Sequence, residues 1–313
     1  GGADAMSAMA ISLLLACCFP VAAAWRLAAS MQLPTLCTGT RLAFNKQLNS
    51  LSRGNVQLAC IDEFVIEEGP SVRVFDGDFA SDICEMVTAA AEAAIEEKGS
   101  FSLAIPGGSV VRALGGLSDD AFDFSKMHVY FVNENIGANT CYQGALDAFA
   151  VAKGVPLEQI HKVGEGAPAE VAAAYEQVLR DAASIDQSFS LPTVDMMLLG
   201  TGEDGHCGML YPESDAVKAS WEGKVVIPID QGETQAIALS MDMMCSAKQV
   251  IVSAAGAGRA PMVAKALSGK FDDFECPAGL VDSVDTIWMV DEDSIAQFFE
   301  ENPEEDEDED EDE

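Results

Sequence analysis

Positive charge is what this chain has least of. Its 313 residues hold 17 Lys and Arg against 52 Asp and Glu, a formal net charge of −35 at pH 7. A surface that acidic repels phosphodiester backbones and anionic headgroups, which argues against nucleic acid and anionic membranes as partners. The excess is not confined to one end. Setting aside the +3 of residues 1–60 and the −12 of Glu300, Glu301 and residues 304–313, the body still carries −26. Paired cysteines are missing as well. Cys84, Cys141, Cys207, Cys245 and Cys276 are scattered through the body without a C-x-x-C spacing. That pattern points to reduced thiols and away from a disulfide scaffold or a thiolate metal site. No apolar run is long enough for a convincing membrane span, because Ala8 to Ala24 is broken by Pro20. Histidine is scarce: there are three in the whole chain.

What is there begins with an address. Ala8 to Ala24 contains SLLLACC and ends in Ala22-Ala23-Ala24 before Trp25, like a signal-peptide core with a small-residue cleavage site. The following WRLAASMQLPTLCTGTRLAFNKQLNSLSRGN is basic, hydroxyl-bearing and free of acids, which is transit-peptide composition. Residues 1–60 are therefore expected to be a two-part, plastid-directed leader, with a cytoplasmic protein as the alternative. Residues 302–313 are expected to form a disordered acidic tail. Between them, residues 61–301 are expected to form one α/β domain.

From Ser71 the chain alternates strand and helix signals. Strands are expected at VRVF, SLAIP, Met127–Val132, the run after Val194, VVIPI, AIALS, QVIVSAAG and TIWMV. Helices are expected at Phe79–Lys98, from Ser109 through Leu117, from about Cys141 to Ala152, at Val171–Ala183, at Ala260–Leu267 and before Phe299. Such alternation predicts a doubly wound, mainly parallel sheet with helices on both faces.

The stretch VDMMLLGTGEDGHCGMLYP organises the rest. It reads as a buried central strand running into a glycine-rich loop, and open α/β sheets bind ligands beyond such strand ends. Gly202 and Gly205 let backbone amides approach an oxyanion, and His206 adds a side chain suited to proton transfer. His128 and His161 stand in ordinary strand and loop contexts and read as structural. Three more loops stand at strand ends. Gly107-Gly108-Ser109, with Arg112 one turn on, reads either as tight packing or as a phosphate site. Gly256-Ala257-Gly258-Arg259 repeats the device, with an arginine that opposes the helix dipole unless it holds an anion. Asn133-Glu134-Asn135 places amides and a carboxylate at a third strand end. Gly200 to Gly205 also fits the dinucleotide pattern G-x-G-x-x-G, but Pro212 blocks the helix that pattern needs, so no nicotinamide or flavin is expected.

The motifs resemble those of the 6-phosphogluconolactonase family, in family order, over roughly Val72 to Phe299. GTGEDGHCGMLYP resembles its G-x-G-x-D-G-H-x-x-S-L-F-P signature, and IPGGSVVRAL its S-G-G-S loop. VYFVNEN resembles its F-V-D-E-R segment, GAGRAPMVAKAL its G-x-G-K helix start, and CPAGLV with TIWMVDEDS its P-A…W-x-x-D close. The family shares its fold with glucosamine-6-phosphate deaminases. Those typically carry a Glu where this chain has Tyr211 and an Asp base where it has Asn133, so the deaminase reading is disfavoured.

The resemblance implies a sugar-phosphate lactonase. His206 would be the general base that activates water, and Asp204 would orient it. Amides around Gly202 and Gly205 would stabilise the oxyanion. Gly107, Gly108, Ser109 and Arg259 would hold the phosphate, with Arg112, Asn133 and Asn135 also at the substrate. It implies no metal and no organic cofactor, a small-molecule sugar-phosphate substrate, and a monomer or small oligomer. Arg259 replaces the family's Lys. Asn133 and Asn135 replace its Asp and Arg, the pattern that a non-catalytic sugar-phosphate-binding relative would also show.

Overall fold

The structure, a computed structural model, describes residues 60–66 and 69–303. The expected leader, apart from Cys60, and the acidic run 304–313 lie outside those residues.

Seven strands form the main sheet: β1 (Cys60–Val65), β2 (Ser71–Phe75), β3 (Phe101–Ile105), β4 (Met127–Phe131), β6 (Met196–Gly200), β9 (Gln249–Ala254) and β10 (Thr286–Asp291), in the order β1-β2-β10-β9-β6-β3-β4. Every pairing is parallel except that of β1 with β2. Central parallel strands are covered on both faces, so they read as unbroken apolar runs. Met196 to Leu199 and all of β3 are buried accordingly. The mainly parallel, doubly wound reading is the observed architecture.

One part of that reading is corrected. The segments VVIPI and AIALS do not join the parallel sheet. They are β7 (Val226–Gln231) and β8 (Thr234–Leu239), an antiparallel hairpin that continues onto β5 (Asn133–Asn135) as a separate three-stranded sheet. Only Gly232 and Glu233 separate the two strands, and a parallel pair needs a crossover of about a dozen residues. The expected helix from Cys141 to Ala152 is also split. It is α3 (Thr140–Ala145) followed by a π-helical turn over 146–150.

The connecting helices follow from their sequences. In α1 (Ala80–Lys98), Ile83, Val87, Ala91 and Ala94 recur at helical spacing and are all buried. It ends at Gly99, whose φ of 83° permits the left-handed cap that donates back to the Ile95 carbonyl. At the amino end of β6, buried Asp195 accepts from the Ser102 amide at 2.8 Å and hydroxyl at 2.7 Å, while Lys98 stands 2.8 Å away. That network fastens β6 to β3 and to the last turn of α1, and it leaves the opposite end of the sheet for chemistry.

At the opposite end the chain reverses. From β3 it steps outward to the edge strand β4, then returns to the other side of β3 as β6. Such a reversal opens a crevice at the carboxyl ends of the two strands. The loops after β3, β4, β6 and β9 all emerge there.

Candidate active site

The loop after β6 is folded on itself before any ligand arrives. The Gly202 amide donates to the His206 carbonyl at 2.9 Å, and the Gly205 amide donates to the Gly202 carbonyl at 3.1 Å. Asp204 Oδ1 accepts the His206 amide at 3.1 Å and lies 2.6 Å from His206 Nδ1. Burial opposes ionisation of Asp204, but hydrogen bonds from the His206 amide and imidazole outweigh it and hold its carboxyl below the ordinary range. The ring of His206 packs on the backbone of Gly202, where a Cβ would stand 2.2 Å from Nδ1. Tyr211 covers the ring as well, at 4.4 Å between centroids. With Nδ1 committed to a carboxylate, Nε2 is the nitrogen left to exchange a proton.

One expectation changes here. The amides of Gly202 and Gly205 are consumed by the loop's own bonds, so this arrangement does not offer them to an oxyanion. Past Pro212 the next helix, α5 (Asp215–Ala219), starts ten residues after Gly205, so the G-x-G-x-x-G stretch does not run into a helix. Cys207 is fully buried beneath the loop, and burial pushes its thiol well above the usual range.

The flanking loops are built for close approach. Gly108 has φ 93° and caps α2 (Ser109–Ala113), a backbone that side chains rarely adopt. Gly107 packs on Cys141, whose Sγ lies 3.7 Å from Asn133 Nδ2, so the loops after β3 and β4 meet over one thiol. Burial and neighbouring Glu134 push that thiol up to about 12, which keeps it neutral. Glu134 itself is fully buried. Its carboxylate accepts the amides of Asn135, Cys141 and Tyr142 at 2.8–3.0 Å, capping α3. After β9, Asp291 grips the Gly256 amide with both carboxylate oxygens, at 3.0 and 2.8 Å, while capping α8 (Glu292–Glu301). Arg259 begins α7 (Ala260–Ser268) and donates to the carbonyls of Thr201 and Ala255 at 2.9 and 2.8 Å. Among the described residues, Ser109, Arg112 and Asn135 make no side-chain bond to the other expected site residues.

The electrostatics single out the same end. Of thirteen Lys and Arg in the described residues, nine have a carboxylate within 4.0 Å. In so acidic a body an unpaired cation is the exception. The other four are Arg112, Lys162, Arg259 and Lys270. Arg112 and Arg259 stand in the segments that follow β3 and β9, whose carboxyl ends lie on the crevice side of the sheet. Lys162 was not anticipated from the sequence. Ile160 bridges Val129 in parallel and the His161 amide donates to the Val129 carbonyl, which carries Lys162 to the carboxyl end of β4. Its ammonium lies over the Tyr142 ring at 5.6 Å. No group of three or more His, Cys, Asp or Glu placed to hold a metal ion occurs among the described residues.

The family description that matches residues 76–288 is "Glucosamine-6-phosphate isomerases/6-phosphogluconolactonase". The chain belongs to that family. Among its relatives is a probable chloroplastic 6-phosphogluconolactonase 3 of Oryza sativa subsp. indica. The two are 26% identical over 243 residues, which cover 71% of this chain and 74% of the relative. A solved 6-phosphogluconolactonase from Trypanosoma brucei superposes with a TM-score of 0.62 at 19% identity, covering 74% of this chain and 98% of that one. A monomeric glucosamine-6-phosphate deaminase superposes with a TM-score of 0.56 at 16% identity, covering 72% and 99%. The fold is thus common to both activities, and side chains must choose between them.

The geometry adds three residues whose part in the site the sequence motifs did not assign. Asp291 and Thr201 belong to the site through what they hold, the Gly256 amide and the Arg259 fork. Glu203 is a third: a Cβ on Gly258 would stand 2.5 Å from its carboxylate, so the loops after β6 and β9 touch. Nothing in the spacing of these residues announces their partners.

Proposed function

We propose that this chain hydrolyses 6-phosphoglucono-1,5-lactone to 6-phosphogluconate, the lactone-opening step of the oxidative pentose phosphate pathway. The observation that carries the reading is the Asp204–His206 pair at the end of β6, 2.6 Å apart, in a chain of this family. His206 Nε2 takes a proton from water as the water oxygen bonds to the lactone carbonyl carbon. The ring C–O bond then breaks, and the imidazolium returns the proton to the departing oxygen. Asp204 holds the imidazole in the tautomer that leaves Nε2 free and supports its positive charge in between. The Gly107–Ser109 turn, Arg112 and Arg259 hold the phosphate, with Asn133 and Asn135 beside the sugar.

A deaminase needs a carboxylate base where this chain has Asn133, and an amide cannot take that proton. Relatives named as chloroplastic and the composition of residues 1–60 support a plastid location. No helix among the described residues is long and apolar enough to cross a membrane.

The test is opening of freshly generated lactone by the full chain, measured against spontaneous hydrolysis, with His206→Ala beside it. A large acceleration lost in the variant is expected. The amides at 133 and 135 favour a second reading, a non-catalytic binder. A background rate from folded protein that still binds 6-phosphogluconate would select that one.

A further inference from the structure

One side chain joins the anion-binding turn to the loop that carries His206. A guanidinium has five N–H groups in a rigid plane. Arg259 spends Nε on the Thr201 carbonyl at 2.9 Å and Nη1 on the Ala255 carbonyl at 2.8 Å. Both ends of this bridge are anchored. Ala255 precedes Gly256, whose amide is clamped by Asp291, so the turn is fixed to the start of α8. Thr201 is held through its hydroxyl to the Ser253 carbonyl at 3.2 Å, and its own carbonyl belongs to the peptide that leads into Gly202. Gly202 is the floor on which the His206 ring lies.

We infer that Arg259 is a positioning residue for His206 as well as an anion contact, so that occupancy of the anion site and placement of the general base are coupled. This rests on the lactonase reading above. An anion on the outer edge of the guanidinium orders the same planar fork that holds Thr201 and, through Gly202, the imidazole. A lysine supplies equal charge but only one nitrogen. It cannot span two carbonyls in a fixed plane and still face an anion. The arginine at this position is therefore not interchangeable with the lysine that the family resemblance would place there.

The experiment compares wild type, Arg259→Lys and Arg259→Gln as full chains on two substrates. One is 6-phosphogluconolactone and the other is glucono-1,5-lactone, which has no phosphate to bind. Arg259→Lys is expected to keep KM for the phosphorylated lactone within about threefold and to lower kcat on both lactones by about tenfold or more, since small misplacement of a base costs rate steeply. Arg259→Gln is expected to raise KM for the phosphorylated lactone in addition. The second readout needs no turnover. The imidazole 15N resonances of His206, one of three histidines, are expected to shift in Arg259→Lys and, in wild type only, on adding inorganic phosphate.

Unchanged His206 resonances, together with a loss confined to the phosphorylated lactone, would overturn the positioning role and leave the lactonase standing. Shifted resonances in a wild type that opens neither lactone would retain the positioning role and sink the lactonase. Equal melting temperatures of the three proteins are expected. A Lys variant that melts early, with His206 unmoved at temperatures where it is folded, also overturns the role.

Discussion

A single carboxylate oxygen of Asp204, Oδ1, receives both the backbone amide and the imidazole of His206, at 3.1 and 2.6 Å. The ring is thereby fixed relative to its own backbone by a residue only two positions away. Asp204→Asn keeps the shape but removes the charge that favours a proton on Nδ1. We expect kcat to fall about 10²- to 10⁴-fold with KM nearly constant, measured by steady-state kinetics. Because the Asp204 carboxyl is held below its ordinary range, it stays ionised through neutrality. Its hold on His206 is expected to weaken only as pH falls below the usual carboxylate range, so its titration should be invisible in a rate profile above about pH 5.

Two glycines in the same loop separate activity from stability. Gly205 has φ 87°, so Gly205→Ala forces a strained backbone and is expected to cost about 1–3 kcal/mol in denaturant unfolding. Gly202 is not among the positive-φ residues, and its backbone accepts alanine. The clash there is with His206 Nδ1 and Cε1 and with Asp204 Oδ1, at 2.2–2.5 Å. Gly202→Ala is expected to melt like wild type while kcat drops by at least about tenfold, because the new methyl displaces the ring.

Lys162 and Lys270 are both cations without a carboxylate partner, but only Lys162 is carried to the carboxyl end of β4. Lys162→Gln is expected to raise KM for the phosphorylated lactone several-fold, and Lys270→Gln to leave it unchanged. Equal effects would assign the change to the overall field of an acidic protein. Running both at low and high salt checks this, since screening reduces any contribution made through open solvent.

The sequence made the centre of the site legible because its signals are contiguous. A buried apolar run, four glycines within nine residues, an Asp and a His all lie within Met196 to Gly208. Arg259 was legible for a similar reason, as a cation at a helix start. What stayed hidden depends on pairing across the chain. Glu134 looks like a substrate group beside Asn133 and Asn135. Yet successive residues of a strand face opposite ways, and β5 buries its middle residue while its neighbours stay partly open. Lys162 is placed by a bridge to Val129, thirty-odd residues upstream, which no local pattern encodes. The loop amides could be counted from sequence, but which of them the loop would consume could not.

The remaining histidines give a prediction about stability rather than catalysis. His128 Nδ1 and His161 Nε2 are 3.3 Å apart, and the His161 ring stacks on Tyr130 at 4.2 Å with 3° between planes. Burial, and then the neighbouring His128, push His161 down to about 4, and burial with nearby Lys98 lowers His128 too. Two rings sharing one N–H cannot both be cations at that distance without losing the contact. An unfolded histidine titrates near 6.5, so between there and about 4 the unfolded chain binds more protons than the folded one. Stability therefore rises with pH through this window and falls as the solution is acidified. The pair closes the segment around Ile160 onto the edge strand β4, so that edge should open first. His161→Phe keeps the stacking on Tyr130 and removes the proton site. Melting temperatures at pH 7 and pH 4.5 are expected to differ less in this variant than in wild type, and hydrogen exchange at the His161 amide should show wild type opening there at the lower pH. An acid-induced loss as large in His161→Phe as in wild type would assign it to the carboxylates instead.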